Sequence, residues 1–322
     1  MDDTSNRVGL YRADFFDNYH VSQLEKATAD GYCVAFNSVQ SAIQACMELL
    51  GDRTMEIPVV LPITAGPDEI SGVLRGGATP LLMDIDEEYL QIDPEPLGEA
   101  LKIMEEDELV PIVLLDKPVG DEINPKVLEL IQNVPSICVY RGEPYQEMEK
   151  DYFPCAFNIF DLTPVVGSGA LLFHSYQEQI KHLKLIRSGV MGLAANMEEG
   201  KASAALIMFS RPEKTIQDYE KIKAKYEESD LELMPTTKWP NLIWVKVKDA
   251  KLTATHLKSY GIDVQVALYP LHDLSEIRNR FRQEPDYPVA DKLKNQLICV
   301  PTHYLALERT DEIIKLIGEI NE

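Results

Sequence analysis

The residues of this sequence that could do chemistry do not fall into compact catalytic or metal-binding spacings. The six histidines form no HxxxH or HExxH pair, and the five cysteines form no CxxC. A zinc site is therefore not expected. Cys33, Cys46, Cys138, Cys155 and Cys299 are odd in number and lie mostly in apolar runs, which fits buried free thiols in a reducing compartment. Two places stand out. Asp161 closes the apolar run Cys155–Phe160 and is followed by a loop carrying Gly167 and Gly169. Ser38 stands between a short apolar strand and a helix, where free backbone N–H groups and the positive end of the helix dipole could hold an anion. On local pattern alone the same serine is better explained as a simple N-cap.

These positions must be held by a fold of some size. The chain has 322 residues, of which 45% are apolar. That predicts one large and one smaller domain, with residues 1–205 forming the first and 206–322 the second. The formal net charge of -22 would repel phosphate backbones, so nucleic acid and anionic membranes are not expected partners. The opening residues carry no apolar run and no stretch is long enough to span a bilayer, which predicts a cytoplasmic protein.

From Tyr32 to Phe173 strands alternate with helices. Apolar runs at Tyr32–Phe36, Ile57–Leu61, Pro80–Asp84, Leu109–Leu115, Ser136–Tyr140, Cys155–Phe160 and Ala170–Phe173 read as strands. They are continuous rather than alternating, as in a sheet covered on both faces. Helices between them imply right-handed crossovers and a mostly parallel sheet. The last two runs are too close together for a helical crossover, so one of them should be antiparallel. Gly189, Gly192 and Gly200 suggest a flexible loop. A helix over about Ala202–Glu227, kinked or broken at Pro212, leads into a smaller α+β unit. Its expected strands are Asn241–Val247, Asp263–Tyr269 and Leu297–Val300, and its closing helix is Thr310–Ile320.

Five stretches resemble the DegT/StrS family of sugar aminotransferases. They are YCVAFNSVQSAIQACMELLG from Tyr32, the run from Val59 to Asp93, SGALLF from Ser168, GIDVQVALYPLH from Gly261, and the run from Tyr287 to Ile314. The resemblance implies an α/β fold, that of the PLP-dependent transferases of fold type I, with a mostly parallel large-domain sheet and a smaller C-terminal α+β domain. It also implies pyridoxal phosphate (PLP) as cofactor, a site at a dimer interface, and a nucleotide-sugar substrate.

The family's chemistry can be checked against this chain position by position. Aligned without gaps, the family's "SFxxxK" meets Ala156 to Asp161, so the phosphate-binding serine is replaced by Ala156 and the imine-forming lysine by Asp161. The aspartate that keeps the pyridine nitrogen protonated meets Arg141, or Val139 if the register slips by two residues, and neither is an acid. The Gly-Thr pair that binds the phosphate meets Val39 and Gln40, with Ser38 kept before them. The ring-stacking aromatic meets Gly66. Asn196 is what remains of a "GyNyR" motif, and His272 matches the family's histidine. Lys150, Lys181, Lys184 and Lys201 are the nearest substitute amines, each in a charged helix or loop.

The degenerate pocket set is thus Ser38, Gln40, Gly66, Arg141, Ala156, Asp161, Asn196 and His272, with no catalytic residue among them. Covalent PLP is not expected, and the reading is a non-catalytic binding or partner subunit, as a homodimer or paired with a related subunit. A small anionic or nucleotide-sugar ligand fits the same pocket. The alternative is an active PLP-dependent aminotransferase or dehydratase acting on a nucleotide sugar.

Overall fold

The computed structural model describes residues 19–29, 32–50, 58–117, 123–141, 155–189, 193–210, 212–234, 243–266, 270–274 and 286–321. The opening stretch from Gly9 lies mostly outside them, as do Lys150 and Gly192.

Seven strands form one sheet: β1 Cys33–Phe36, β2 Pro58–Pro62, β3 Thr79–Met83, β4 Ile112–Lys117, β5 Ser136–Arg141, β6 Phe157–Asp161 and β7 Ala170–Phe173. Their order is β1-β7-β6-β5-β4-β2-β3. From β6 through β3 all neighbours are parallel, whereas β7 runs antiparallel to both β6 and β1. This is the single reversal expected from the short link between the last two runs. β1 therefore points the same way as β6.

Helices cover both faces, which is why the strands read as continuous apolar runs. On one face, α2 (Val39–Leu50), α3 (Pro67–Arg75) and α7 (Gln177–Arg187) pack on Val59, Leu61, Leu114, Val139 and Ile159. On the other, α4 (Pro94–Glu106) and α5 (Pro125–Ile131) cover Val60, Val113 and Cys138. Beside them α1 (Tyr19–Ala29) and α8 (Glu199–Phe209) cover Ala35, Leu171 and Phe173. A short helix, α6 (Thr163–Val166), joins β6 to β7. The starts of α4 and α5 follow one local recipe, in which Asp93 or Asn124 caps an N–H and proline takes the first turn. Helix α3 packs unusually close to α2, since a Cβ on Gly72 would lie 2.7 Å from the Ile43 Cβ, and one on Gly76 2.5 Å from the Met47 Cβ.

The expected helix across Pro212 is two helices. α8 ends at Phe209 and α9 (Pro212–Glu227) begins at the proline, which lacks the N–H that would continue the ladder. Gly200 lies in the first turn of α8, not in a loop. Helix α9 packs with α10 (Ala250–Ser259), α12 (Thr310–Asn321) and an antiparallel sheet of order β8-β10-β9. These strands are β8 Ile243–Lys246, β9 Gln265–Val266 and β10 Leu297–Val300. The first two are shorter than expected, and 267–269 lie outside the described residues. All five cysteines are buried, and none is in a disulfide among the described residues. Among the described residues no helix is long and apolar enough to cross a membrane.

Among the described residues no strand lies beside the outer edge of β1. Glu25 and Arg187 take that place. The Glu25 carboxylate, 3% exposed, accepts the Ala35 N–H at 3.0 Å, and the Arg187 guanidinium donates to the Ala35 carbonyl at 3.0 Å. Arg187 also donates to Glu25, and Lys184 Nζ stands 2.9 Å from the other Glu25 oxygen. Removing one member leaves a buried charge without its partner. Glu25→Leu is expected to lose about 3–5 kcal/mol in denaturant unfolding, and Glu25→Leu with Arg187→Leu clearly less than the sum of the two single changes. Additive losses would mean the two side chains act independently.

Candidate functional site at the sheet edge

The parallel strands all end on one edge, and so does β1. Every loop that leaves this edge can contribute to one crevice. Ser38 and Gln40 follow β1 at the start of α2. Gly66 is the N-cap residue of α3, after β2. Arg141 and Asp161 are the last residues of β5 and β6 and are paired in register. Asn196 forms a bridge with Phe36, the last residue of β1. His272 lies in a single 3-10 turn, Leu271–Asp273, whose first N–H donates to the Ile63 carbonyl just beyond β2. The fold thus brings seven of the eight expected positions to the same edge.

Ala156 is the exception. It precedes β6, and Asp161 ends it. At ~3.3 Å per residue the two are separated by roughly 16 Å, so they stand at opposite ends of the sheet. The ungapped register that set them side by side in one pocket is not the geometry of this strand.

Several of these groups already have local partners. Asp161 is 8% exposed, and its Oδ1 accepts the Thr163 N–H at 2.8 Å, which starts α6. Ser38 caps α2, its Oγ accepting the Ser41 N–H at 3.1 Å. The His272 Nε2–H donates to Asp291 at 3.1 Å, and the His272 ring stacks on Tyr287 with centroids 5.1 Å apart. Lys294 Nζ lies 2.7 Å from the same Asp291 oxygen. Burial alone would raise the Asp291 pKa, but the hydrogen bonds from Lys294 and His272 hold it below the usual carboxylate value. Tyr287 is pushed up to about 12, first by burial and then by the Asp84 carboxylate.

Asp84 fixes this corner. It follows β3, and its two oxygens accept the N–H groups of Val289 at 2.9 Å and Ala290 at 3.0 Å, in the first turn of α11 (Pro288–Leu293). It also accepts the Ile85 N–H at 2.9 Å. The sequence showed a strand ending in carboxylates here, but not what they would bind.

Beside Asp161 the chain turns through Gly167, Ser168 and Gly169 back into β7, and the Leu162 N–H donates to the Gly169 carbonyl. Gly167 and Gly169 have φ of 79° and 143°, which a side chain would strain. A Cβ at Gly169 would come within 2.7 Å of the Met197 side chain and 3.6 Å of the Phe36 carbonyl, so the turn lies against the segment that carries Asn196. Lys201, in the first turn of α8, reaches this turn with Nζ 2.5 Å from Ser168 Oγ. Of the other candidate amines, Lys184 is paired with Glu25 and Lys181 is exposed on α7. Among the described residues no group of three or more His, Cys, Asp or Glu side chains could hold a metal ion.

No protein-family model matches this sequence, and no curated protein matches it. Solved structures do. A protein assigned as a sugar aminotransferase, from Streptococcus pneumoniae, superposes with a TM-score of 0.79 at 16% identity, covering 94% of this chain and 92% of its own. An aminotransferase of Helicobacter pylori involved in the biosynthesis of pseudoaminic acid gives 0.77 at 15% identity, covering 94% and 91%. GDP-4-keto-6-deoxy-D-mannose-3-dehydratase of E. coli, with bound hydrated PLP, gives 0.76 at 14% identity, covering 92% and 91%. The fold is that of the PLP-dependent aminotransferases, an α/β architecture on a mostly parallel sheet.

Two substitutions test how these groups are held. Asp84→Ala is expected to cost roughly 2–3 kcal/mol in equilibrium unfolding, because three backbone N–H groups lose a charged acceptor at once. Asp161→Ala should cost about 1–2 kcal/mol, and Asp161→Asn should recover most of that because its side-chain oxygen still caps Thr163. If Asp161→Asn is as damaging as alanine, the charge of Asp161 matters beyond the cap, and its neighbour in register, Arg141, is the group to change next.

Proposed function

We propose that this chain is a non-catalytic relative of the sugar-modifying PLP enzymes, a binding or partner subunit that has lost the imine-bound cofactor. The observation that carries this reading is the state of Asp161. At the end of β6, where the resemblance asks for an amine, a buried carboxylate is tied to the Thr163 N–H. PLP held as an imine needs that amine, a free phosphate cup and an aromatic face. The residues present do not fit it. Ser38 spends its hydroxyl oxygen on the Ser41 N–H, Val39 is buried beside it, and Gly66 brings no ring. Arg141 is no acid to hold a pyridinium proton.

In the proposed division of labour, residues 1–205 form the edge crevice and 206–322 close it through His272 and Tyr287. A dimer, either of two copies or with a related subunit, is part of the same reading, as are a cytoplasmic location and a small anionic or nucleotide-sugar ligand.

A second reading has one observation in its favour. Lys201 brings an amine to the glycine turn beside Asp161, and an active aminotransferase or dehydratase would need such a group. The two readings separate in one experiment. The purified protein is mixed with PLP, reduced with borohydride and examined by absorbance and peptide mass. The expected result is the spectrum of free cofactor and no stoichiometric pyridoxyl-lysine peptide from the sheet edge. Stoichiometric, saturable modification of one lysine there, Lys201 first among them, overturns the proposal and returns the enzyme reading to first place; scattered substoichiometric labelling of exposed lysines does not.

A further inference from the structure

Lys201, like Lys221 and Lys315, has its carboxylate partner 3.6 Å or more away, but its side chain is 30% exposed against 61% and 76% for those two. The sequence carries 53 carboxylates against 31 basic residues. Lys184, Lys225, Lys246, Lys292 and Lys294 each stand within 3.2 Å of a carboxylate oxygen. Lys201 is 30% exposed, yet its ammonium is held on a neutral hydroxyl, Ser168 Oγ. Its nearest carboxylate among the described residues is Glu198 at 3.8 Å, on a side chain 75% exposed. A largely buried ammonium in so acidic a chain, with no carboxylate among the described residues closer than that, leaves room for an anion.

The surroundings suit an oxyanion. Ser168 keeps its hydroxyl proton to donate while its oxygen accepts from Lys201. Gly167 leaves open space where a Cβ would stand, so a ligand can approach the turn's backbone closely. Asn196, exposed and bridged to Phe36, stands on the adjoining segment. The nearby carboxylate of Asp161 is buried and occupied by Thr163.

We infer that Lys201 and Ser168, on the Gly167–Gly169 turn, form the anion subsite of this crevice and take a phosphate-type oxyanion of a small ligand. This rests on the binding reading above and moves the anion from the start of α2, where Ser38 is a cap, to the turn before β7. Lys201 would act as a point charge and Ser168 as a directional donor.

The test is calorimetric titration of the full chain with inorganic phosphate, with pyridoxine 5′-phosphate, which has no aldehyde, and with uridine diphosphate. The three distinguish a bare phosphate, a phosphate monoester and a nucleotide diphosphate as sources. At least one is expected to bind saturably, to weaken at least about tenfold in Lys201→Gln and in Ser168→Ala, and to recover in Lys201→Arg. Raising the salt concentration should weaken wild-type binding more than that of Lys201→Gln. Equal affinity in wild type and Lys201→Gln would overturn the subsite while leaving a binding module intact. Absence of binding by all three probes would overturn the subsite too, and would leave the partner-subunit form of the proposed function. Neither result depends on the borohydride experiment, which tests the covalent chemistry separately.

Discussion

An open sheet edge must be satisfied, and much of this molecule follows from how β1 does it. The N–H and C=O of Ala35 face away from β7 and would be costly if buried without partners. Glu25 from α1 and Arg187 from α7 supply an acceptor and a donor in the place of an eighth strand. The arrangement buries charge, which is tolerable because each charged group meets both an opposite charge and a backbone partner. It also clamps two helices from opposite faces of the sheet to one residue. What lies beyond Ala35 inherits that position. Phe36 bridges to Asn196, the Asn37 N–H donates to the Ala195 carbonyl, and α8 starts a few residues later with Lys201 in its first turn.

The C-terminal edge of the sheet therefore has a firm frame, and the question is what its side chains are free to do. Two of the polar groups that look most like ligand binders are spent on the backbone. Ser38 and Asp161 each complete the start of a helix. A capping hydroxyl or carboxylate satisfies an N–H that the helix cannot satisfy itself. His272 is likewise drawn into a stack with Tyr287 and a charged cluster with Asp291 and Lys294. Lys201, by contrast, is held on a neutral hydroxyl, Ser168 Oγ.

The fold was largely legible in the sequence, the site only in part. Continuous apolar runs showed a sheet covered on both faces, the short link after Phe160 required one reversed strand, and Pro212 marked the break between α8 and α9. Ser38 was readable as a cap from its place between strand and helix. The register through Ala156 and Asp161 could not be read as geometry, because a sequence comparison sees five positions and not the strand that separates them. Glu25 was missed, although Val21, Leu24 and Thr28 put it on the buried stripe of α1 at helical spacing, and a carboxylate on such a stripe asks for a partner. That partner, Arg187, is distant in the chain, so no local pattern could name it. Lys201 looked like a solvated lysine because its contact, Ser168, also comes from another element.

The two stretches that most resemble the sugar aminotransferases, Val59–Asp93 and Tyr287–Ile314, meet in space. Asp84 in the first accepts the N–H groups of Val289 and Ala290 in the second. Tyr287, at the head of the second stretch, has its hydroxyl pKa raised first by burial and then by that same carboxylate. The likeness is thus strongest at a joint that holds the small sheet's side of the molecule to the large sheet. A joint of this kind is needed by any chain with the fold, whatever its pocket does. Cofactor contacts carry no such burden, since Asp161 and Ser38 can cap helices where other residues would bind a ligand. Backbones that superpose at TM-scores near 0.79 with 16% identity are what this separation produces. The contacts that assemble the fold can be kept while the side chains at the edge of the sheet differ.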